Sequence, residues 1–533
     1  MTSRPGPLFG LLSGLVGFAL FGTAAAQSPQ ERAIEAIRRD SASGADSAGA
    51  HPLPLAASWN AGTVATGFGP AYQVEQIRLG RYLLPWFILD APPTGNAPDD
   101  YARPGDSLYY EPAIQFLAQH RLPLSFVSPQ WEAVLWRIAP QYAKKIDADG
   151  KTLPLSPFDA AGPWYAAGLE WARHPTLRQL QKLYPDPPLV LFVSNNEQPK
   201  LSPGDLHANY DAHAGADAVA RRRAIGDAWI ERYRMLLRGF RDGLTSSVWR
   251  AHAVFIGYDA FVTPAMGRWG GWMAYSLYIP GRTEPWPYAW DGASVSYYVH
   301  DWAPDSDYTV WSPQIEAMNW VAELAQVRRT RPDFWFELST WDGQQPGEPS
   351  DKRRFYTARG QELTPGRYGG MVQFGMWLLR PRVVREFRNP EDDRIRFGPY
   401  FDELLAAVAR IHEDPQLRDF WQHGRLLENP TGGHPYEEAL PGELAARARW
   451  FLLEASANTP RPWQLSTTLN VFSLALETGR KPNRDWLVYA CSPLEEVIET
   501  EVAIPGGRPQ HVRATREGAF TLVRERDAPV RSQ

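Results

Sequence analysis

The stretch PLVLFVSNNEQPKL, residues 188–201, joins two textures that do not belong together. Leu189 to Val193 is an unbroken apolar run, the pattern of a strand buried on both faces of a parallel sheet. The run then ends abruptly in Asn195, Asn196 and Glu197. A carboxylate is among the groups least willing to leave water. An acid at the tip of a core strand therefore implies that the tip faces a cleft.

Reading outward from this strand, the chain alternates short apolar runs with helical patterns, the signature of βαβ units. Three runs precede it: LAASWN (55–60), LLPWFILD (83–90) and LPLSFVS (122–128). Four follow it: HAVFIGYD (252–259), SVSYYVHD (294–301), DFWFELS (333–339) and GGMVQFGMW (369–377). Between them, EPAIQFLAQH, AVARRRAIGDAWIERYRMLLRGFRDGL, SPQIEAMNWVAELAQVRR and PYFDELLAAVARIH carry the 3.6-residue apolar spacing of surface helices. Eight strand–helix pairs predict an α/β fold, a (β/α)8 TIM barrel over 55–440. A doubly wound open sheet is the competitor, but neither G-x-G-x-x-G nor G-x-x-x-x-G-K-[ST] occurs.

Beyond about residue 440 the texture changes. ARARWFLLEAS (446–456) reads as helix. TTLNVFSLALE, DWLVYACSP, EEVIETEVAIP and GAFTLVRE then read as strands, with a strong turn at Pro505-Gly506-Gly507. These patterns predict a C-terminal antiparallel β-sandwich over 441–533. At the other end, Arg4, the apolar run Leu8 to Phe21 and the small residues up to Ala26 read as a signal peptide over 1–26. The small and polar residues that follow suggest a flexible leader over 27–54. The expected product is exported, periplasmic or extracellular.

Composition excludes several classes. Over 533 residues the net charge is −5 with no long basic block, which argues against nucleic acid or an anionic membrane as partner. The single cysteine, Cys491, has no internal partner for a disulfide and is expected to be free and buried. The 22 Trp and 22 Tyr are often set beside Pro, Gly or Asp, as in EPWPYAWDG. They either seal a large core or stack on flat ligand faces, sugars included.

In a barrel of this kind reacting groups come from the C-terminal ends of strands. Glu197 follows the fourth predicted strand, and Glu337 sits inside the aromatic seventh, Phe334-Trp335-Phe336-Glu337-Leu338. Two carboxylates on separate strands suit glycosidic bond cleavage. One protonates the leaving oxygen, and the other attacks the anomeric carbon or activates water.

With Asn-Glu after strand four and a second Glu on strand seven, the chain resembles clan A of the glycoside hydrolases, the retaining 4/7 (β/α)8 enzymes. The resemblance spans roughly residues 55–415. It implies that Glu197 is the general acid/base, Glu337 the nucleophile and Asn196 the ligand of the sugar 2-hydroxyl. It further implies that Tyr298 or His300 contacts the nucleophile and that Trp377 lies under the bound sugar. A carbohydrate substrate is implied, with no cofactor and no metal. The clan often has Asn-Glu-Pro, whereas here Gln198 precedes Pro199, so no family within the clan is assigned. Trp59, Asn60, Trp131, Tyr258 and Trp341 end or follow strands on the same rim and are candidate subsite walls.

Each residue also has a plainer reading. Glu197 could cap a helix, Glu337 could pair with Arg380 or Arg382, and the aromatic residues could be packing groups. Two other classes compete: a non-catalytic carbohydrate-binding barrel, and a polysaccharide lyase using a Tyr, His or Lys base. Gly105-Asp106-Ser107-Leu108 resembles an esterase block but lacks a downstream Asp-x-x-His, so Ser107 reads as a helix cap. His207 and His213 fit a solvated loop, and Arg221 to Arg223 the exposed side of a helix.

Overall fold

A computed structural model describes residues 27–42, 50–58, 69–88, 107–128, 145–146, 152–153, 161–173, 175–194, 218–258, 291–298, 334–339, 364–387, 394–427, 452–453, 471–492 and 497–525. The first part of the chain forms α1 (Pro29–Ala42), β1 (Leu55–Ser58), α2 (Pro70–Arg78), β2 (Phe87–Ile88), α3 (Ser107–His120) and β3 (Leu124–Ser128). A short hairpin, β4 (Lys145–Ile146) and β5 (Thr152–Leu153), precedes α4 (Gly162–Ala172), α5 (Pro175–Leu183) and β6 (Val190–Ser194). Then come α6 (Ala218–Gly243), α7 (Ser247–His252), β7 (Ala253–Tyr258), β8 (Gly292–Tyr298) and β9 (Phe334–Ser339). α8 (Pro365–Leu379), β10 (Val383–Phe387), α9 (Arg394–Glu413) and α10 (Pro415–His423) complete this part.

Eight of these strands form one sheet in the order β1-β10-β9-β8-β7-β6-β3-β2, every pair parallel. Strands consecutive in the chain are neighbours in space, and the first strand lies beside the last. β1 also bonds toward the other end of the order. The Ala56 amide donates to the Tyr82 carbonyl at 2.9 Å, and the Leu84 amide donates to the Ala56 carbonyl at 2.8 Å. Both partners lie in the segment that leads into β2.

A row of phenylalanines sets the phase of the pleat. Phe87, Phe126, Phe192 and Phe255 are in register across β2, β3, β6 and β7. The last three stack with ring centroids 5.5–5.6 Å apart. Phe240 of α6 meets Phe192 and Phe255 edge-on, and Trp249 of α7 stacks on Phe126. This row therefore faces the helices, and each buried ring contributes about 1.5–3 kcal/mol of burial. Residues one step along each strand face the other way.

Seven of the eight expected strands lie where the apolar runs put them, and the eighth does not. Residues 369–377 are part of α8, and the eighth strand is β10, which follows that helix at Val383–Phe387. The run GGMVQFGMWLL is apolar on every side, so its periodicity does not separate a buried helix from a buried strand. The start signals decide it: the Thr364 hydroxyl accepts from the Arg367 amide at 3.3 Å and Pro365 occupies the first turn. Arg380, in the left-handed region at φ 46°, and Pro381 end the helix.

The leader expected over 27–54 is ordered over Pro29–Ala42 as α1, with Ala33 and Ile37 fully buried. The polar count of this segment hid a narrow apolar stripe. Behind it, His412 of α9 holds the entry to β1. Its Nε2 lies 2.7 Å from the Pro54 carbonyl, and its ring stacks on Tyr82 at 3.9 Å.

The C-terminal strands are β11 (Arg425–Leu426), β12 (Leu452–Leu453), β13 (Phe472–Arg480), β14 (Asn483–Cys491), β15 (Val497–Ala503), β16 (Pro509–Thr515) and β17 (Ala519–Arg524). Hydrogen bonds link them in one network, antiparallel except at Cys491↔Thr515. Three expectations change here. β11 pairs with β13, so this unit begins near 425 and not at 441. Leu452 and Leu453, inside the expected helix, pair with Ser473 and Phe472. β16, too polar to read as a strand, forms a hairpin with β15 about Gly506, which takes φ +74°.

β13 and β14 are buried on both faces. Phe472, Leu474, Leu476, Leu487, Tyr489 and Cys491 join the main core, while Val471, Ala475, Trp486, Val488 and Ala490 form a second core with Val502, Ile504, Val512 and Ala514 of the hairpin. α8 docks on the first of these faces. The Tyr489 hydroxyl donates to the Gly370 carbonyl at 2.7 Å, and the Gln373 amide donates to the Glu517 carbonyl at 2.7 Å. Cys491 is free and buried, and burial pushes its thiol up to about 12. No described helix is long and apolar enough to cross a membrane.

Burial drives the pKa of His412 down from 6.5 to about 3, against the smaller upward pull of the Pro54 carbonyl. The unfolded chain takes up this proton near its ordinary value and the native protein does not. The stabilisation is therefore complete above pH 6.5 and is lost as pH falls toward 3. Within that window the group imposes a slope of about 1.4 kcal/mol per pH unit. Urea midpoints of wild type and His412→Gln, compared at pH 7 and pH 4.5, should show a steeper acid loss in wild type.

Candidate active site

Because the eight strands are parallel, their C-terminal ends share one edge of the sheet: Ser58, Ile88, Ser128, Ser194, Tyr258, Tyr298, Ser339 and Phe387. Most candidate residues follow these ends directly in the chain. Trp59 and Asn60 come after Ser58, Trp131 after Ser128, Asn196 and Glu197 after Ser194, His300 after Tyr298, and Trp341 after Ser339. All of these lie outside the described residues. Tyr258, Tyr298 and Glu337 lie within strands, where the description extends to backbone and register.

Register places those three positions. Starting from the helix-facing phenylalanine row, Ile256 takes the opposite face and is in register with Gly292, and Tyr258 with Ser294. Two steps further, Ser296 is in register with Glu337, and Tyr298 with Ser339. Glu337 is in register with Arg385, and Arg385 with Ala57. In-register residues of parallel strands share a face, and alternate residues along a strand return to it. Positions 258, 294, 296, 298, 337 and 385 therefore lie on the face turned away from the helices.

Arg385 gives this face its charge. It is 0% exposed, with its guanidinium carbon 5.2 Å from the ring centre of Trp86. Trp86 precedes the helix-facing Phe87 by one residue, so its place beside Arg385 independently confirms the phase of the pleat. Gln73 of α2, itself buried, holds Trp86 by both backbone groups. Its Nε2 donates to the Trp86 carbonyl at 2.9 Å, and its Oε1 accepts from the Trp86 amide at 2.7 Å. One amide side chain thus acts as a strand neighbour ahead of β2. Glu386, also 0% exposed, is one step on from Arg385 and belongs to the helix-facing side.

The sequence reading missed Arg385 because the run RVVREF between Pro381 and Pro390 is short and carries charge at alternating ends. The signal that could have found it is Val383-Val384 bounded by two prolines. Of the partners suggested for Glu337, Arg380 donates to the Trp421 and Gly424 carbonyls at 3.0 and 2.7 Å, and Arg382 to the Ser41 carbonyl at 3.5 Å.

Trp377 is not at the strand-end edge. It lies on α8, 1% exposed, edge-on to Trp421 and Phe520 at 5.2 and 5.4 Å. It packs α8 against α10 and the C-terminal sheet, and the expectation that it underlies a sugar fails because that segment is helical. Ser107 is the first residue of α3, and Arg221 to Arg223 lie in α6. His207 and His213 lie outside the described residues. Among the described residues no cluster of three or more His, Cys, Asp or Glu could hold a metal.

No protein-family model and no curated protein matches the chain. Among solved structures it is similar to an α-galactosidase of family GH36 from Geobacillus stearothermophilus in complex with raffinose. The identity is 11%, the TM-score 0.36, and 93% of this chain overlaps 59% of that one. A Cellulomonas fimi endo-β-1,4-mannanase overlaps 91% of this chain and 97% of its own, at 10% identity and a TM-score of 0.31. The chain therefore spans little more than half the length of the galactosidase. Likenesses at TM-scores of 0.36 and 0.31 decide neither fold nor chemistry.

Replacing Gln73 by Leu deprives the Trp86 amide and carbonyl of these partners inside the core. At 1–3 kcal/mol for each buried group, the expected loss is on the order of 2–6 kcal/mol. Urea unfolding should show a lower midpoint with an unchanged slope.

Proposed function

We propose that the chain is a glycoside hydrolase that cleaves β-linked glycosides with retention, using Glu197 as acid/base and Glu337 as nucleophile. The observation that carries this reading is the position of Glu337. It stands on the seventh strand of an eight-stranded parallel sheet, on the face turned away from the helices, while the fourth strand, β6, runs out three residues before Glu197. In this reading the hydrogen bonds of Ala56 close the sheet into a (β/α)8 barrel. Closure matters to the chemistry. Across an open sheet β6 and β9 stand three strand spacings apart, about 14 Å, and their side chains run parallel. In a barrel the same faces converge on the axis, which permits the ~5–5.5 Å carboxylate gap that retention needs.

The first step transfers the glycosyl group to a Glu337 carboxylate oxygen while Glu197 gives its proton to the departing oxygen. In the second step Glu197 takes a proton from water, which attacks the anomeric carbon and releases Glu337. Asn196, Tyr298, His300 and Tyr258 would position the sugar, with Trp59, Asn60, Trp131 and Trp341 as subsite walls. The C-terminal strands form a sandwich in this reading, with the β15–β16 hairpin layered over β13 and β14. The apolar run after Arg4 directs export.

Glu197→Ala and Glu337→Ala, assayed on a panel of aryl β-glycosides, should each lose activity by at least 10²–10⁴-fold. Azide should rescue both, giving the β-glycosyl azide with Glu197→Ala and the α-anomer with Glu337→Ala. Normal turnover in either variant ends the assignment. Products absorbing in the ultraviolet from a uronate polymer would identify a lyase instead.

A further inference from the structure

We propose that Gln27 becomes the first residue of the exported protein and closes on itself as pyroglutamate, a modification site at the entry to α1. The proposal rests on the export reading above and is independent of the glycosidase one.

The bond before Gln27 is marked from both sides. Ala24 and Ala26 put small residues three and one positions ahead of it, the pattern that signal cleavage requires. On the other side the folded structure begins at once. The Ser28 amide donates to Glu31 Oε2 at 2.7 Å, and the Ser28 hydroxyl accepts from the Glu31 amide at 3.2 Å, a reciprocal capping box. Arg32 reaches back to donate to the Gln27 carbonyl at 2.7 Å. Pro29 lies against the bend at Gly80, where a Cβ would stand 2.6 Å from that of Pro29. Further along α1, Ala33 and Ile37 are buried, and Arg38 Nε donates to the His120 carbonyl at 2.7 Å. Cleavage after Ala26 thus leaves α1 and its cap whole. A cut two residues later would remove the cap. One exposed residue, Gln27, is left ahead of Ser28.

A glutamine with a free α-amine carries its own electrophile. The amine nitrogen attacks Cδ of the side-chain amide and closes a five-membered lactam. The bond from Cδ to the amide nitrogen breaks, and that nitrogen leaves as ammonia with the proton given up by the amine. No oxidant, water or cofactor is consumed. An α-amine has an ordinary pKa of about 8, so part of it is the neutral nucleophile at neutral pH. Ring closure spares the carbonyl of residue 27, and the bond from Arg32 survives it. The product also suits its place. An ammonium ahead of Ser28 would add positive charge to the positive end of α1, beside the Arg32 guanidinium, whereas the lactam is neutral. Glu31, the acid of the cap, is engaged by the Ser28 amide.

The test is the intact mass and N-terminal peptide of the full chain, expressed with its own leader in a secreting host and recovered after export. Most chains should begin at residue 27, weigh less than the encoded sequence from that point by one ammonia, and resist stepwise N-terminal degradation. Gln27→Asn keeps the amide, but its ring would have four members and be strained. That variant should be cut at the same bond, keep its full mass and degrade normally from its amine. Exported wild type that begins at Gln27 with a free amine and full mass would overturn the modification and leave the export reading standing. Chains cut at another bond would overturn the site, and chains that keep residues 1–26 would overturn the site and the export reading together.

Discussion

The short strand β1 is the constraint on which the parallel sheet depends. It has four residues, and its backbone serves two neighbours at once: Leu55 donates to the Arg382 carbonyl at 2.8 Å on one side, while Ala56 exchanges bonds with Tyr82 and Leu84 on the other. A parallel sheet left with open edges would present unpaired amides and carbonyls to solvent or to another chain. The pieces outside β1 hold it in place: Pro54 is bonded by His412, and Pro52 accepts from the Trp421 indole at 2.7 Å.

The charge on the face turned away from the helices follows from that arrangement. β1 supplies no charge there, whereas β10 contributes Arg385, a cation taken fully out of water. In a low-dielectric site a charge pair is worth far more than at the surface, and a lone charge costs more. A two-carboxylate mechanism asks for one acid that is ionised at working pH and one that is protonated.

The C-terminal strands act as a brace and share the main core. α8 is apolar all round because it is covered on both sides, by the parallel sheet and α9 on one and by β13, β14 and β17 on the other. Trp377 sits at that junction. Helix and sheet are fixed together by the bonds from Tyr489 to Gly370 and from Gln373 to Glu517, so the position of β10, and with it Arg385, is tied to the C-terminal unit.

Much of this was legible in the residues alone. Apolar runs such as Leu189–Val193 and the aromatic run around Glu337 located seven of the eight parallel strands, because a strand buried on both faces cannot be polar. Residues 369–377 were misread for the same reason. When every side of a segment is buried, apolar periodicity vanishes, and only the cap at Thr364 and the packing of α8 between two sheets select helix. The strand that was missed carries Arg385 and Glu386, whose charges are tolerable only beside partners that the chain delivers from elsewhere. Sequence by itself determined which segments must leave water. Tertiary structure alone decided which of their polar residues stand in one row, because register across a sheet is set by pairing between strands far apart in the chain.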